Sequence, residues 1–404
     1  MFNICDNINW QALGKEVLVE SPNSNMKDPK FKQFIEEGLE IDKEEEKLYT
    51  ATQWQLMWRK FRRHKLAIIG LVILAILYTF AIFCEFFAPQ DPAKRDTNYI
   101  YVPPQKIHFI DESGRFYLRP FVYGLKQESD PITWRKVYVE DRSKKYPVYF
   151  FVHGDKYRLW NLIEYDLHFI GTKEGPFYLF GTDESGRDML SRTIYGARIS
   201  LFTGLIGVFF SFIFGCILGG ISGYFGGSID LIIQRVIEFL LSLPSIPLWM
   251  ALAAAMPKNW SPLKVYFLIT VILSLIGWCS LARVVRGKIL ELRELDFVTA
   301  ARLAGATDWT IITKHLLPNF TSYLIVSITL AIPNMILGET SLSFLGIGLR
   351  PPIISWGVLL KNAQNISIIA LQPWLLIPGL FIVITVLAFN FLGDGLRDAA
   401  DPYR

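Results

Sequence analysis

Six apolar runs, each close to the length that a helix needs to cross lipid, dominate the hydrophobic pattern of this chain. A helix crosses about 30 Å of hydrocarbon with about 20 residues. The runs are approximately Leu66–Ala88, Ile199–Gly220, Ile229–Ala255, Val265–Val285, Tyr323–Ile336 with its continuation to Phe344, and Trp374–Leu392. The pattern predicts an all-α polytopic membrane protein with six transmembrane helices.

The polar stretch 89–196, between the first two runs, follows another pattern. In Arg135–Glu140 and Tyr146–Val152, apolar or aromatic residues alternate with polar ones, and Gly, Pro and Asp separate such stretches. A period of two predicts strands. We expect a small β-rich extracytoplasmic insertion between helices 1 and 2. Its histidines, His108, His153 and His168, lack metal-ligand spacing, which favours ordinary core or surface roles.

Charge predicts the topology. An aromatic and basic belt at 54–65 comes directly before the first run; its cations are Arg59, Lys60, Arg62, Arg63 and Lys65. Positive charge beside a span is retained in the cytoplasm, so helix 1 should run outward. Six spans then place both termini and the basic loop 286–319 in the cytoplasm. The segment 1–53 is polar, with an acidic run at 36–46 that is typical of a solvated helix, and it has no secretory signal core.

Composition agrees with a membrane protein. The chain of 404 residues is 51% hydrophobic, and its mean hydropathy is +0.31. Its net charge of +4 is too small to indicate nucleic-acid binding. Four scattered cysteines, Cys5, Cys84, Cys216 and Cys279, form neither a disulfide framework nor a metal site, and we expect no bound metal. The sequence contains no GxxxxGK[ST] motif, so we expect no ATP binding by a phosphate-binding loop. It also contains no HExxH or GxSxG motif, so we expect no catalytic residues.

Residues 296–318, DFVTAARLAGATDWTIITKHLLP, are too polar to cross a membrane, and we call them the elbow. The pattern predicts two short helices. The first should end at Gly305, which takes a left-handed conformation without a Cβ penalty, and Thr307 should cap the second. Small Ala300 and Ala301 would let another surface approach closely. An amphipathic helical hairpin packed on the protein's own body explains the loop equally well.

The elbow resembles the cytoplasmic loop of ABC importer permeases. Ala300-Ala301, three residues, Gly305, and then Leu317-Pro318 match that family's spacing, whereas Thr299 and His315 stand where it has an acidic and an aliphatic residue. Two other stretches strengthen the resemblance. Residues 181–201 are similar to the segment before the second span of dipeptide and oligopeptide permeases, and 338–348 with Trp356-Gly357 are similar to their outer gate region.

The resemblance identifies a type I ABC importer permease of the dipeptide, oligopeptide and nickel group, in its second-permease (C-type) form. It implies the basic and aromatic belt with transmembrane helix 1 at 54–88, and a permease core at 197–404 with helices 2–6 and the coupling loop 286–319. A coupling helix in this loop docks into an ATPase. The implied docking residues are Asp296, Phe297, Ala300, Ala301, Leu303, Gly305 and Thr307. The implied partners are a second homologous permease forming a heterodimer, two ABC ATPase subunits that carry ATP and Mg, an extracytoplasmic peptide-binding protein, and the lipid of the bacterial inner membrane.

Polar residues within spans suggest where substrate passes. Asn334, Glu339 and Asn390 are the candidates for a substrate path, although each could simply cap a helix end. Arg235 and Glu238 lie three residues apart, and an interfacial ion pair explains them. In 181–201, Asp183 or Ser185 can cap the following helix, and Asp188 favours its first turn.

Other functions fit parts of the pattern. The same importer type could carry nickel chelates or opines instead of peptides. A secondary transporter would need no ATPase, but the sequence shows neither a clear central ionisable relay nor obvious inverted repeats. A membrane-anchored sensor built around the outer domain would not need the glycine-rich second span or the elbow.

Overall fold

The computed structural model describes residues 53–400, apart from 130, 132, 133, 135, 161 and 258. The predicted N-terminal segment with its acidic run, Cys5 and the last four residues therefore lie outside the described residues. The chain divides into two compact units between Lys60 and Phe61. Of the first unit, the structure describes only the beginning of helix α1 (Gln53–Arg63). Everything below concerns the second unit.

The first apolar run forms helix α2 (Lys65–Ile82) and the short α3 (Cys84–Phe87). His64 caps α2 by accepting a hydrogen bond from the Ala67 backbone N–H, 3.1 Å from Nδ1. One face of α2 is buried, and the residues Ile69, Val72 and Ile76 on its other face are exposed. Exposed aliphatic side chains along a span are expected where lipid is the solvent.

Four antiparallel strands lie between α3 and the second long helix, in the order β1-β2-β3-β4. They are β1 (His108–Ile110), β2 (Phe116–Ser129), β3 (Lys136–Leu159) and β4 (Ile163–Thr172). The first part of β3 pairs with β2 and its second part with β4. Both stretches predicted as strands belong to β3, apart from Arg135, which is not described. Within the described residues no cluster of three potential metal ligands occurs.

The other long helices are α4 (Met189–Phe225), α7 (Pro262–Leu292), α10 (Thr321–Phe344) and α13 (Ile377–Ala400). With α2 they enclose the main apolar core, whose central side chains include Leu201, Leu273, Ile336, Trp356 and Phe389. Five segments of the described chain are long and apolar enough to cross a membrane: Lys65–Ile82, Met189–Phe225, Lys264–Leu292, Asp308–Phe344 and Pro373–Ala400.

The predicted third span is wrong as a single helix. The run at 229–255 forms α5 (Gly227–Ser242) and α6 (Ser245–Ala254), which meet at an angle of 86°. Leu243 is extended because the ring of Pro244 disfavours a helical conformation at the residue before it. The pair counts as a sixth span only if both helices together cross the bilayer.

Short helices complete the fold. The elbow and the turn after it contain α8 (Asp296–Leu303), α9 (Asp308–Thr310), a π-helix (Ile311–Leu316) and a 3-10 turn (Leu317–Phe320). The region after α10 contains α11 (Trp356–Leu360), a second 3-10 turn (Lys361–Gln364), α12 (Ile366–Leu371) and a third 3-10 turn (Pro373–Leu376). The predicted loop 286–319 is shorter than expected, because helix α7 continues through 286–292, where Ile289 is buried. Helix α10 ends at Phe344, as the predicted continuation of the fifth run does, and so includes the first residues of the stretch 338–348.

Glycines allow α4 and α7 to pack with their backbones in contact. A Cβ atom added at Gly219 would lie 2.5 Å from the carbonyl oxygen of Ala282, and one at Gly223 would lie 2.8 Å from that of Arg286. Real Cβ atoms do not approach backbone oxygens so closely. The glycine face of the second span is therefore packed inside the protein, as its sequence predicts, whereas Phe209 and Phe214 of the same helix are exposed.

We expect Gly219→Ala to destabilise the protein by about 1–3 kcal/mol, the usual cost of inserting a methyl group where no room exists. Thermal unfolding of the purified protein measures the effect. Gly287→Ala on α7 is the matched control, because a Cβ there meets no atom within 4 Å. Equal melting temperatures for the two variants would contradict the close packing.

Candidate functional site

The elbow has the local geometry that its sequence predicts. Helix α8 ends at Leu303, and Gly305 follows with a φ of +84°, the left-handed conformation in which glycine is favoured. The N–H groups of Gly305 and Ala306 donate to the carbonyls of Arg302 and Ala301 at 3.0 and 3.1 Å. Thr307 Oγ1 then caps the second helix by accepting from the Thr310 N–H at 3.3 Å. The chain thus reverses without leaving this helix end unpaired.

The inner side of the elbow packs on the protein's own helices. Val298 of α8 and Ile311, Ile312 and Leu316 of the π-helix are buried in a cluster with Val285 and Ile289 of α7. To this extent the interpretation as a hairpin packed on its own body is right. These contacts fix the elbow to the ends of α4 and α7.

The outer side of the elbow is exposed. Of the predicted docking residues, Asp296, Phe297, Ala300, Leu303, Gly305 and Thr307 are exposed. Ala301 differs, because it is half-buried against the inner cluster. Leu303 is 85% exposed, and Trp309, beyond the turn, is 52% exposed. An exposed leucine and an exposed tryptophan on either side of a turn that is anchored to the core leave apolar surface that a partner can cover.

Tyr224, which the sequence analysis did not select, joins both halves of the elbow to α4. Its hydroxyl donates to Asp308 Oδ1 at 2.7 Å and accepts from Arg302 Nη2 at 3.2 Å. The Arg302 guanidinium also lies 5.8 Å from the centre of the tyrosine ring. The only sequence signal is a tyrosine two residues before the glycine pair that follows α4.

Further polar contacts brace the helix ends beside the elbow. Arg293 Nη1 donates to the carbonyl of Gly223 at 3.1 Å, and the Arg286 guanidinium contacts both carboxylate oxygens of Asp230 at 2.5 Å. Paired donors and acceptors of this kind hold α4, α5 and α7 in one arrangement. The predicted Arg235–Glu238 pair also forms, at 3.0 Å, on an exposed face of α5.

The segment before α4 is a buried polar turn. Asp188, rather than Asp183 or Ser185, caps the helix: its carboxylate accepts from the Leu190 and Ser191 N–H groups at 3.4 and 2.7 Å. Burial raises the pKa of Asp188 to about 6, although hydrogen bonds from Ser191 oppose the shift. Asp183 instead accepts from Arg187 Nε at 2.7 Å and turns the chain at 183–187.

Glu339 is fully buried and lies in a cluster of serines. The Ser343 and Ser355 hydroxyls donate to its Oε1 at 2.7 and 2.8 Å, and Ser200 donates to its Oε2 at 3.3 Å. Ser200 in turn accepts the backbone N–H of Trp356 at 3.1 Å. In this conformation Glu339 ties α4 and α10 to the segment before α11, and it reaches no open surface.

Asn334 lies in a different place. It lines a groove of about 290 Å³ between α4, α7 and α10, with Ser211, Ser280 and Ser327 as further polar side chains. Its amide donates to the carbonyl of Leu330 at 3.4 Å. Asn390 is half-buried in α13. The structure does not bring the three predicted path residues together, because neither Glu339 nor Asn390 lines this groove.

Comparison with known proteins connects these features to a family. Residues 211–403 match the family model for the binding-protein-dependent transport system inner membrane component, and 52–104 match that for the N-terminal TM domain of oligopeptide transport permease C. The dipeptide transport system permease protein DppC of Bacillus subtilis is 33% identical over 85% of this chain and 84% of its own length. The chain belongs to the family of binding-protein-dependent transport system inner membrane components.

Two more relatives agree with this assignment. The oligopeptide transport system permease protein OppC of Haemophilus influenzae is 44% identical over 57% of this chain and 72% of its own length. DppC of Lactococcus lactis is 32% identical over 86% and 90%. A chain from the inward-facing MetNI methionine ABC transporter is 20% identical over 52% of this chain and 97% of its own, with a TM-score of 0.40 that is too low for an argument about fold.

As a member of this family, the protein is a membrane-embedded ABC transporter permease of the type I fold, and its long apolar helices agree with that assignment. The elbow is the segment whose sequence resembles the cytoplasmic loop of ABC importer permeases. An ABC importer permease works with separate ATPase subunits.

We expect Tyr224→Phe to loosen the elbow without unfolding the helices. The variant loses the hydroxyl that contacts Asp308 and Arg302, worth about 0.5–1.5 kcal/mol for a typical hydrogen bond. Hydrogen exchange of the backbone amides in 299–311 should therefore accelerate, measured by mass spectrometry. Tyr165→Phe, which changes an exposed tyrosine on β4, is the control. Unchanged exchange in the elbow of Tyr224→Phe would show that Tyr224 does not brace it.

Proposed function

We propose that this chain is the C-type permease subunit of an ABC importer that moves peptides across the bacterial inner membrane. The observation that carries the proposal is the elbow, which exposes Leu303 and Trp309 outward while Val298 and Ile311 anchor it to the helices. Peptides are proposed as substrates because the relatives are named for dipeptide and oligopeptide transport. Substrate and partners are proposed together, because a permease without an ATPase of its own transports a substrate only with partner subunits.

The elbow acts as the coupling helix. Its outer face, made of Asp296, Phe297, Ala300, Leu303, Gly305 and Thr307, docks into an ATPase subunit, and Ala301 belongs to the anchoring side. ATP and Mg reside on the two ATPase subunits, and we assign no cofactor or metal to this chain. Closure of the ATPases pushes the elbow, and Tyr224 and the buried cluster pass the movement to α4 and α7.

The path forms against a second permease. The groove at Asn334 lies between α4, α7 and α10, and a homologous subunit would close it into a mostly apolar passage that carries the Asn334 amide and three serine hydroxyls. Asn334 is the path residue that the geometry favours. Asn390 stays a candidate, and Glu339 would act by holding α4 against α10. An extracytoplasmic binding protein would deliver the peptide.

The proposed topology has six spans, with α5 and α6 together forming the third. The N- and C-termini and the elbow lie in the cytoplasm, and the four-stranded sheet lies outside as an insertion between helices 1 and 2. The basic belt before α2 and the cations of 286–319 support this orientation.

We expect Leu303→Asp to abolish docking. The side chain is 85% exposed, so the change leaves the core intact while placing a charge in an apolar interface. Purification of the complex from its native membrane should then recover the second permease but lose the ATPase subunits.

Leu118→Asp on β2 is the matched control, because Leu118 is 89% exposed and lies in the sheet. It should retain the ATPases. Retention of the ATPases by Leu303→Asp would place the docking surface elsewhere on the chain.

We expect Gly305→Val to uncouple ATP hydrolysis from peptide uptake. A β-branched residue at a φ of +84° is strained, so the turn between α8 and Thr307 must rearrange. In proteoliposomes with labelled peptide, uptake per ATP hydrolysed should fall severalfold while the ATPases stay bound. The control is Gly287→Val, at an unobstructed position in α7. Undiminished uptake by Gly305→Val would disprove the lever.

A further inference from the structure

The hairpin that joins β3 to β4 exposes an unusual concentration of apolar side chains. Trp160, Leu162 and Ile163 at its end are 52%, 80% and 62% exposed. On the neighbouring part of β3, Phe150 and Phe151 are also exposed. Soluble domains rarely present large apolar side chains so closely spaced, because water disfavours them.

The hairpin lies directly beside the end of a membrane span. Trp160 Nε1 donates to the carbonyl of Ile82, the last residue of α2, at 2.8 Å. The Trp160 ring stacks on Phe83, with ring centres 5.9 Å apart. The hairpin end is therefore level with the last residues of α2.

An aromatic cluster further along β3 and β4 also holds the strands against α3. Phe169 of β4 packs against Phe86 and Phe87 of α3, with ring centres 6.0 and 5.3 Å apart, and Phe151 contacts Phe86 at 6.2 Å. Phe151 and Trp160 both adopt a positive φ, 58° and 52°. Large side chains in this conformation are strained, so the surrounding contacts hold them there.

We propose that the end of the β3–β4 hairpin, with the exposed side chains of Trp160, Leu162 and Ile163, inserts into the lipid of the bilayer interface beside α2. Phe83, which directly follows α2, is 39% exposed and stacks on Trp160, so it joins the apolar end of the hairpin to the end of α2. Aromatic rings with one polar group, such as Trp160, favour the level of the headgroups. The exposed Arg158–Glu164 ion pair, with atoms 2.6 Å apart, follows directly behind the apolar end and limits the depth of insertion.

This inference rests on α2 crossing the bilayer and not on the transported substrate. It also gives the sheet a second attachment to the membrane besides its chain connections. A sheet held at its hairpin keeps a fixed height above the spans, which would orient it toward any partner that approaches from that side.

Depth-dependent quenching tests the proposal in the assembled transporter. Leu162→Cys is made in a Cys5→Ser chain, because Cys84, Cys216 and Cys279 are buried. The cysteine carries an environment-sensitive fluorophore, and the complex is reconstituted in nanodiscs. The lipids carry a nitroxide either near the headgroup end of the acyl chain or near its methyl end. Val137→Cys, towards the opposite end of β3, is the control.

The expected result is several-fold stronger quenching at Leu162→Cys than at Val137→Cys, greatest for the nitroxide near the headgroups, with little quenching by aqueous iodide. Iodide quenching without nitroxide quenching would show that the hairpin is in water. Protection from both quenchers would show that a protein subunit covers it. Either outcome overturns the proposal about the hairpin. Peptide uptake, measured on the same preparation, tests the proposed function separately.

Discussion

The close contact between α4 and α7 is the constraint on which the rest of the structure depends. Gly219 and Gly223 bring the two backbones together, and this places Tyr224 and Arg293 where they can reach the elbow and the adjoining helix ends. In lipid no hydrophobic effect drives helices together, so close packing and satisfied hydrogen bonds must hold them. A larger residue in this seam would displace the support of the elbow as well as the helices.

The elbow combines two properties that a single helix face would not give. Its inner residues make it part of the protein's own core, and its outer residues leave leucine and tryptophan side chains uncovered. The interpretation of the sequence as a self-packed hairpin is right for the inner face, and docking stays a prediction for the outer face. A surface that is anchored on one side can transmit force from the other, because the buried cluster does not deform freely.

The sequence predicts the apolar spans, the left-handed glycine at 305 and the cap at Thr307. Each of these depends on the chemistry of neighbouring residues or on the hydrophobic pattern within one segment. The sequence analysis missed the break at Leu243-Pro244, where hydropathy continues although the backbone turns. It also missed Tyr224 and the burial of Glu339 among serines. Those contacts join residues far apart in the chain, and no local pattern reveals which distant groups will meet. Nor does the sequence reveal that Ala301 is half-buried, because spacing alone cannot tell which side of a short helix the core will cover.

The side of the membrane on which the elbow lies tests the account most directly. Thr299 is exposed on α8, and Leu118 is exposed on the sheet. Cysteines introduced at the two positions can be labelled with a membrane-impermeant maleimide in right-side-out vesicles and in inverted vesicles washed free of peripheral subunits. The account predicts labelling of Thr299→Cys only in inverted vesicles and of Leu118→Cys only in right-side-out ones. Labelling of Thr299→Cys from the outside would contradict it.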